Sequence, residues 1–110
     1  MSRPAKSAVS VLIIDDNPAS LELVSTALAQ PGLEIFTASD PEEGLDLFCN
    51  HLPEIVLTDL VMPHMSGMEV LERIMEIDPA TDVILMTAHY STESAVEAIK
   101  KGASDYLNKP

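Results

Sequence analysis

The chain has 110 residues, enough for one domain and too few for two. Its 18 acidic and 6 basic side chains give a formal charge of -12, which argues against a nucleic-acid face on the domain and against an anionic membrane surface. The same charge suits a cation site and a basic protein partner. Cys49 is the single cysteine, so no internal disulfide can form and a reducing compartment is the simplest setting. No apolar run is long enough to span a bilayer, and the stretch before Val9 lacks the apolar core of a signal peptide, so a cytoplasmic location is expected.

Residues 1–8 read as an N-terminal extension and 9–110 as the folded unit. The first apolar run, Val11-Leu12-Ile13-Ile14, ends in Asp15-Asp16. Asn17 then caps a helix with Pro18 at its first position, and Leu21, Val24 and Leu28 recur at helical spacing until Pro31-Gly32. Leu33 to Ala38 alternates, with Leu33, Ile35 and Thr37 on one face, as an edge strand would. Asp40-Pro41-Glu42-Glu43 opens a second helix, with Leu45 and Phe48 as its buried stripe.

The third strand, Ile55-Val56-Leu57-Thr58, runs into Asp59. Ser66 and Glu69 form a capping box for a helix with apolar positions Val70, Leu71, Ile74 and Ile77. The fourth strand, Val83 to Thr87, is followed by a helix from Ser91 through Val96, Ala98 and Ile99, with Gly102 as its C-cap. A short fifth strand, Asp105 to Leu107, leads into Asn108-Lys109-Pro110. Strands alternating with helices mean a parallel sheet with right-handed crossovers. The unbroken apolar third and fourth strands suit its interior and the alternating second strand its edge. The expected fold is therefore α/β, a flavodoxin-like doubly wound five-stranded parallel sheet of order 2-1-3-4-5.

In such a sheet, sites form outside the carboxyl ends of the strands, where strand order reverses. Asp15, Asp16 and Asp59 meet there, with Thr87 and Lys109 at neighbouring strand ends. Three close carboxylates repel, and a divalent cation resolves the conflict. Oxygen-only ligands with room for water favour Mg²⁺ or Mn²⁺ over zinc. A lysine point charge and a threonine hydroxyl would bind phosphoryl oxygens while a carboxylate attacks in line, giving an acyl phosphate on aspartate. Each residue alone has a plainer reading, since strand-terminal Asp and Thr are usually caps. The joint occurrence at four strand ends favours the site.

Other readings are weaker. Met62, His64, Met65 and Met68 resemble a soft-metal set but suit loop and core packing better. His51, His89 and Cys49 lack zinc spacing; His89 lies two residues past Thr87, where it would influence the access of water. A dehalogenase-type phosphatase needs an acid two residues after its nucleophile, and Val61 stands there. A flavin carrier would not place Asp15-Asp16 against a phosphate. A scaffold of the same fold that binds partners without phosphorylation would have lost a site group, and none is missing.

Taken together, Val11-Leu12-Ile13-Ile14-Asp15-Asp16-Asn17, Asp59-Leu60-Val61-Met62-Pro63-His64-Met65-Ser66-Gly67, Met86-Thr87-Ala88 and Asp105-Tyr106-Leu107-Asn108-Lys109-Pro110 resemble the response-regulator receiver domain of bacterial two-component systems. The resemblance is strongest to receivers of nitrogen-regulation-type, sigma-factor-dependent enhancer-binding activators. It implies Asp59 as phosphoacceptor. It implies Asp15, Asp16, Asp59 and the backbone carbonyl of Val61 as metal ligands, with Thr87 and Tyr106 as the switch and Lys109 as the phosphoryl-binding lysine. It further implies a histidine kinase or phosphotransfer protein as donor, an output domain in a longer chain, a possible dimer, and a cis Lys109–Pro110 peptide. Such a receiver assists its own phosphorylation and dephosphorylation and is not an enzyme in the ordinary sense. The family carries a fifth helix after the lysine-proline pair. The chain stops at Pro110, so it is expected to be a fragment, with apolar side chains of the fifth strand and of the Leu21-Val24-Leu28 helix partly bare.

Overall fold

The computed structural model describes residues 9–109. The expected N-terminal extension and the Lys109–Pro110 peptide lie outside the described residues. Nine elements alternate along the chain: β1 (Val9–Ile14), α1 (Pro18–Leu28), β2 (Leu33–Ala38), α2 (Pro41–His51), β3 (Ile55–Asp59), α3 (Gly67–Ile77), β4 (Asp82–Thr87), α4 (Thr92–Lys100) and β5 (Asp105–Asn108). The strands form one parallel sheet of order β2-β1-β3-β4-β5, as expected from the pattern. Leu12 pairs with Val56, Val56 with Val83 and Leu85 with Tyr106, so the four inner registers bring all strand ends to one edge.

The helix starts follow from local chemistry. The side chain of Asn17 accepts from the Ala19 and Ser20 amides, Asp40 from Glu43, Ser66 from Glu69 and Ser91 from Ser94, each satisfying an amide that the helix leaves unpaired. Asp40 and Glu43 go further: the Glu43 carboxylate accepts from the Ser39 amide, closing a reciprocal cap. Gly102 ends the α4 unit at φ 109°, a conformation that any Cβ would strain.

Side-chain alternation splits the core in two. Leu12, Ile14, Val56, Val83, Leu85 and Tyr106 face α2, α3 and α4 with Phe48, Val70, Leu71, Ile74 and Ala98. Val11, Ile13 and Met86 face the other way, where Val24 of α1 covers them. α1 packs on β1 and β2. Towards β5 that side thins out: Ile55, Leu57 and Ile84 are half-buried and Leu107 is 42% exposed. The expected bareness is thus present on the fifth strand, and milder on α1, where Leu21 and Leu28 are half-buried and Val24 is buried.

Four positions depart from the sequence reading. Thr37 is exposed; β2 buries Ala38 and packs Phe36 on its second face, because the strand has helices of the larger core beside it. Ile77 sits at the last turn of α3 and is 48% exposed, beyond the edge of the sheet that buries Ile74. In α4 the small Ala98 is fully buried, whereas Val96 and Ile99 point outward.

Ile74→Ala should therefore lower unfolding stability by ~2–5 kcal/mol, as a cavity in a packed core does, and Ile77→Ala by under about 1 kcal/mol. Urea unfolding of both variants checks this; equal losses would contradict the packing.

Candidate functional site at the carboxyl edge of the sheet

The site is assembled from strand ends and pinned by backbone hydrogen bonds. The Asp15 amide donates to the Ala38 carbonyl at 3.1 Å, and the Leu60 amide to Met86 at 2.8 Å. The Lys109 amide donates to the Thr87 carbonyl at 2.8 Å, which ties the residue after β5 to the end of β4. Asp15, Asp59 and Thr87 are buried, Asp16 is exposed and Lys109 is partly covered.

Lys109 joins the two buried acids. Its ammonium lies 2.8 Å from Asp15 Oδ2 and 3.3 Å from Asp59 Oδ2. Asp15 Oδ1 accepts from the Asn17 amide at 3.0 Å, so the turn that starts α1 also orients this carboxylate. Asp15 Oδ2 is buried, with the Lys109 ammonium 2.8 Å away. One carboxylate oxygen from each of Asp15, Asp16 and Asp59 lies within 4.8 Å of the others. An all-oxygen donor set of three carboxylates sharing one ammonium fits a hard divalent cation such as Mg²⁺ or Mn²⁺.

The electrostatics separate the two buried acids. Burial pushes the Asp15 carboxyl up, but the Lys109 ammonium, the Asn17 amide and the Ser20 hydroxyl outweigh it and hold the group below its ordinary value. Burial also pushes Asp59 up; Lys109 opposes this, the negative charge of Asp15 adds to it, and the net direction is upward. Burial lowers Lys109, but its contacts with Asp15 and Asp59 more than reverse that. Asp59 is thus the less stabilised anion of the pair, and its oxygen the more basic one.

Other predicted groups fall nearby in different roles. Thr87 Oγ1 accepts from the His89 amide at 3.0 Å, and the His89 side chain itself is exposed. The backbone amide of Val61 acts on the Asp59 carboxylate, and its side chain is 67% exposed. Tyr106 is buried, and its hydroxyl has no partner among the described residues. Among the soft-metal candidates, Met62 is buried and Met65 and Met68 pack on the main core, while His64 is exposed, so packing is what these residues do.

Three contributors were not singled out from sequence. The Ser20 hydroxyl bears on Asp15. Gly67 lets the start of α3 close on β3: its amide donates to the Leu60 carbonyl at 2.8 Å, and a Cβ there would overlap the Asp59 carbonyl and stand 2.9 Å from Leu60 Cα. Tyr90 places its ring edge against Tyr106. The Ser66-Gly67 pair marked only a helix start, and Ser20 and Tyr90 carried no local signal.

The signs of these shifts set the pH dependence. Asp15, depressed below 3.8, contributes stability that is complete above that value and lost as pH falls through its lower folded value. Lys109, raised above 10.5, contributes stability complete below that value and lost as pH rises through its folded value. Asp59 has the opposite sign and costs stability once pH passes 3.8. Lys109→Met should lower stability by roughly 2–5 kcal/mol at neutral pH, move the Asp15 carboxyl titration upward, and recover stability on mild acidification as Asp59 takes up a proton. Melts across pH with carboxyl NMR check this; an unmoved Asp15 would contradict the ion triad.

Comparison with known proteins agrees with the fold. The model of the response regulator receiver domain matches residues 11–110. The chain is 41% identical over 100 residues to the regulatory protein AtoC of Escherichia coli, covering 91% of this chain and 22% of that protein. It is 37% identical over 100 residues to the DNA-binding transcriptional regulator NtrC of the same species, covering 91% and 21%. It is 34% identical over 110 residues to the probable transcriptional regulatory protein TcrX of Mycobacterium tuberculosis, covering 100% and 47%. The chain therefore spans between a fifth and a half of the length of these relatives. Among solved structures, a receiver domain from Clostridium thermocellum superposes with a TM-score of 0.87 at 38% identity, covering 93% of this chain and 82% of that one. The Vibrio cholerae chemotaxis protein CheY4 reaches 0.87 at 28% identity, covering 94% and 88%. The chain belongs to the response regulator receiver domain family.

Proposed function

We propose that this receiver takes a phosphoryl group from a histidine kinase or phosphotransfer protein onto Asp59 and uses Thr87 and Tyr106 to report it. The observation that carries the reading is the Lys109 ammonium held between two buried carboxylates, 2.8 Å from Asp15 and 3.3 Å from Asp59. Asp59 is the acceptor because it is the more basic of the two and because Asp15 is already committed to Lys109 and the Asn17 amide.

An Asp59 carboxylate oxygen attacks phosphorus, the O–P bond forms, and the N–P bond to the donor imidazole breaks, the electron pair leaving with the imidazole. Lys109 follows the charge from the carboxylate to a phosphoryl oxygen. The Thr87 hydroxyl accepts from the His89 amide and retains its own proton, which it donates to another phosphoryl oxygen. Asp15, Asp16, Asp59 and the Val61 carbonyl would hold Mg²⁺ or Mn²⁺. A divalent cation bound there supplies positive charge that lets an anionic phosphoryl group enter an acidic site. Water hydrolyses the acyl phosphate in the return step, with the exposed His89 at the mouth.

Phosphorylation gives Thr87 a partner it otherwise lacks, and so favours the arrangement in which Thr87 turns inward beside a buried Tyr106. The greater length of AtoC and NtrC supports a transcriptional output domain in a longer chain that includes the 9–110 receiver. A cytoplasmic setting completes the proposal; no helix among the described residues is long and apolar enough to cross a membrane.

Acetyl phosphate with Mg²⁺, followed by intact mass, should add a single phosphoryl group to the wild type and none to Asp59→Asn, and none to either when Mg²⁺ is chelated. Full labelling of Asp59→Asn would refute the assignment.

A further inference from the structure

Tyr106 is buried, 5% exposed, and its hydroxyl finds no hydrogen-bond partner among the described residues. A buried phenol without a partner is disfavoured, since swinging outward would return the hydroxyl to water. The inward ring is therefore held by apolar contact alone. Part of that contact is the core formed with Leu85, Val83 and Ala98. The rest comes from the β4–α4 loop, where Tyr90 meets the Tyr106 ring edge to face, with centroids 5.0 Å apart and planes at 69°. Tyr90 itself is 50% exposed. Thr87 meanwhile accepts from the His89 amide inside the same loop. The inward Tyr106 thus does not depend on Thr87 having left that loop contact.

We infer that Tyr90 is a positioning residue of the switch, a clamp whose ring keeps Tyr106 inward before any phosphoryl group arrives. The inference rests on the reading of Thr87 and Tyr106 as the reporting pair, and it deepens that reading. In this chain the loop after Thr87 and the Tyr106 ring are joined by an aromatic contact, so a loop movement started at Thr87 is felt at Tyr106 through Tyr90. The half-exposed partner is the one free to move, and releasing it leaves the core undisturbed. A contact of this geometry shifts a two-state population by roughly two- to tenfold.

The chain has two tyrosines, so uniform labelling with 3-fluorotyrosine gives two fluorine resonances, and Tyr90→Phe leaves only that of Tyr106. Broadening by a soluble paramagnetic chelate reads the exposure of the Tyr106 ring in the full chain. Broadening should be weak in the wild type, equally weak in Tyr90→Phe, which keeps the ring, and roughly two- to tenfold stronger in Tyr90→Ala. Should Tyr90→Ala lose structure, Tyr90→Leu is read in its place; it keeps apolar bulk without a ring edge and should also expose Tyr106. Tyr106 equally protected in the folded Ala or Leu variant, or exposed in Tyr90→Phe, overturns the clamp. Labelling of Asp59 by acetyl phosphate in the same samples is a separate readout: its failure in the wild type overturns the phosphoacceptor reading, while the Tyr106 signal alone decides the clamp.

Discussion

One ammonium between two buried carboxylates is the constraint around which this molecule is arranged. The parallel sheet delivers Asp15 and Asp59 side by side at the reversal of strand order, and burial alone would drive a proton onto one of them. Lys109 prevents that, and it reaches both acids because its own amide is bonded to the end of β4. The arrangement is under-neutralised by design of the fold: two buried negative charges share one positive charge, with the exposed Asp16 carboxylate close by. Such a cluster favours whatever brings further positive charge or takes negative charge away from Asp59.

The rest of the structure serves that placement. Caps at Asn17 and Asp40 start α1 and α2 close after β1 and β2 end, whereas Ser66 and Ser91 start α3 and α4 after longer loops at the carboxyl edge. Asn17 has two tasks, capping α1 with its side chain and orienting Asp15 with its amide. Gly67 allows α3 to begin directly against the Asp59 backbone, with its amide bonded to the Leu60 carbonyl. His64, at φ 72°, turns the loop between them in a left-handed conformation that a histidine tolerates at some cost.

Much of this was legible in the chain itself, for physical reasons. Unbroken apolar runs at Leu57 and Ile84 suit inner parallel strands, and the polar residue immediately after each then lies at the carboxyl edge. Cap chemistry is local, so Asn17-Pro18 and Ser66-x-x-Glu69 could be read without the fold. What escaped reading depends on contacts between distant segments. Ile77 fits the helical stripe of α3, but the sheet ends before reaching it. Val96 and Ile99 are apolar, yet α4 turns Ala95 and Ala98 toward the core and leaves those two outside. Tyr90 and Tyr106 meet because a loop folds over a strand, which no periodicity encodes. The ion triad was half visible: the three groups were named, while the sharing of one ammonium and the opposite shifts of Asp15 and Asp59 needed coordinates.

The central claim, an acidic edge short of positive charge, is tested most directly by equilibrium unfolding in graded Mg²⁺ at constant ionic strength. A cation that binds only the folded edge must raise the unfolding free energy by about 1.4 kcal/mol for each tenfold rise in concentration above its dissociation constant, and the unfolding midpoint rises with it. An unfolding midpoint that does not change across the Mg²⁺ series would contradict the account.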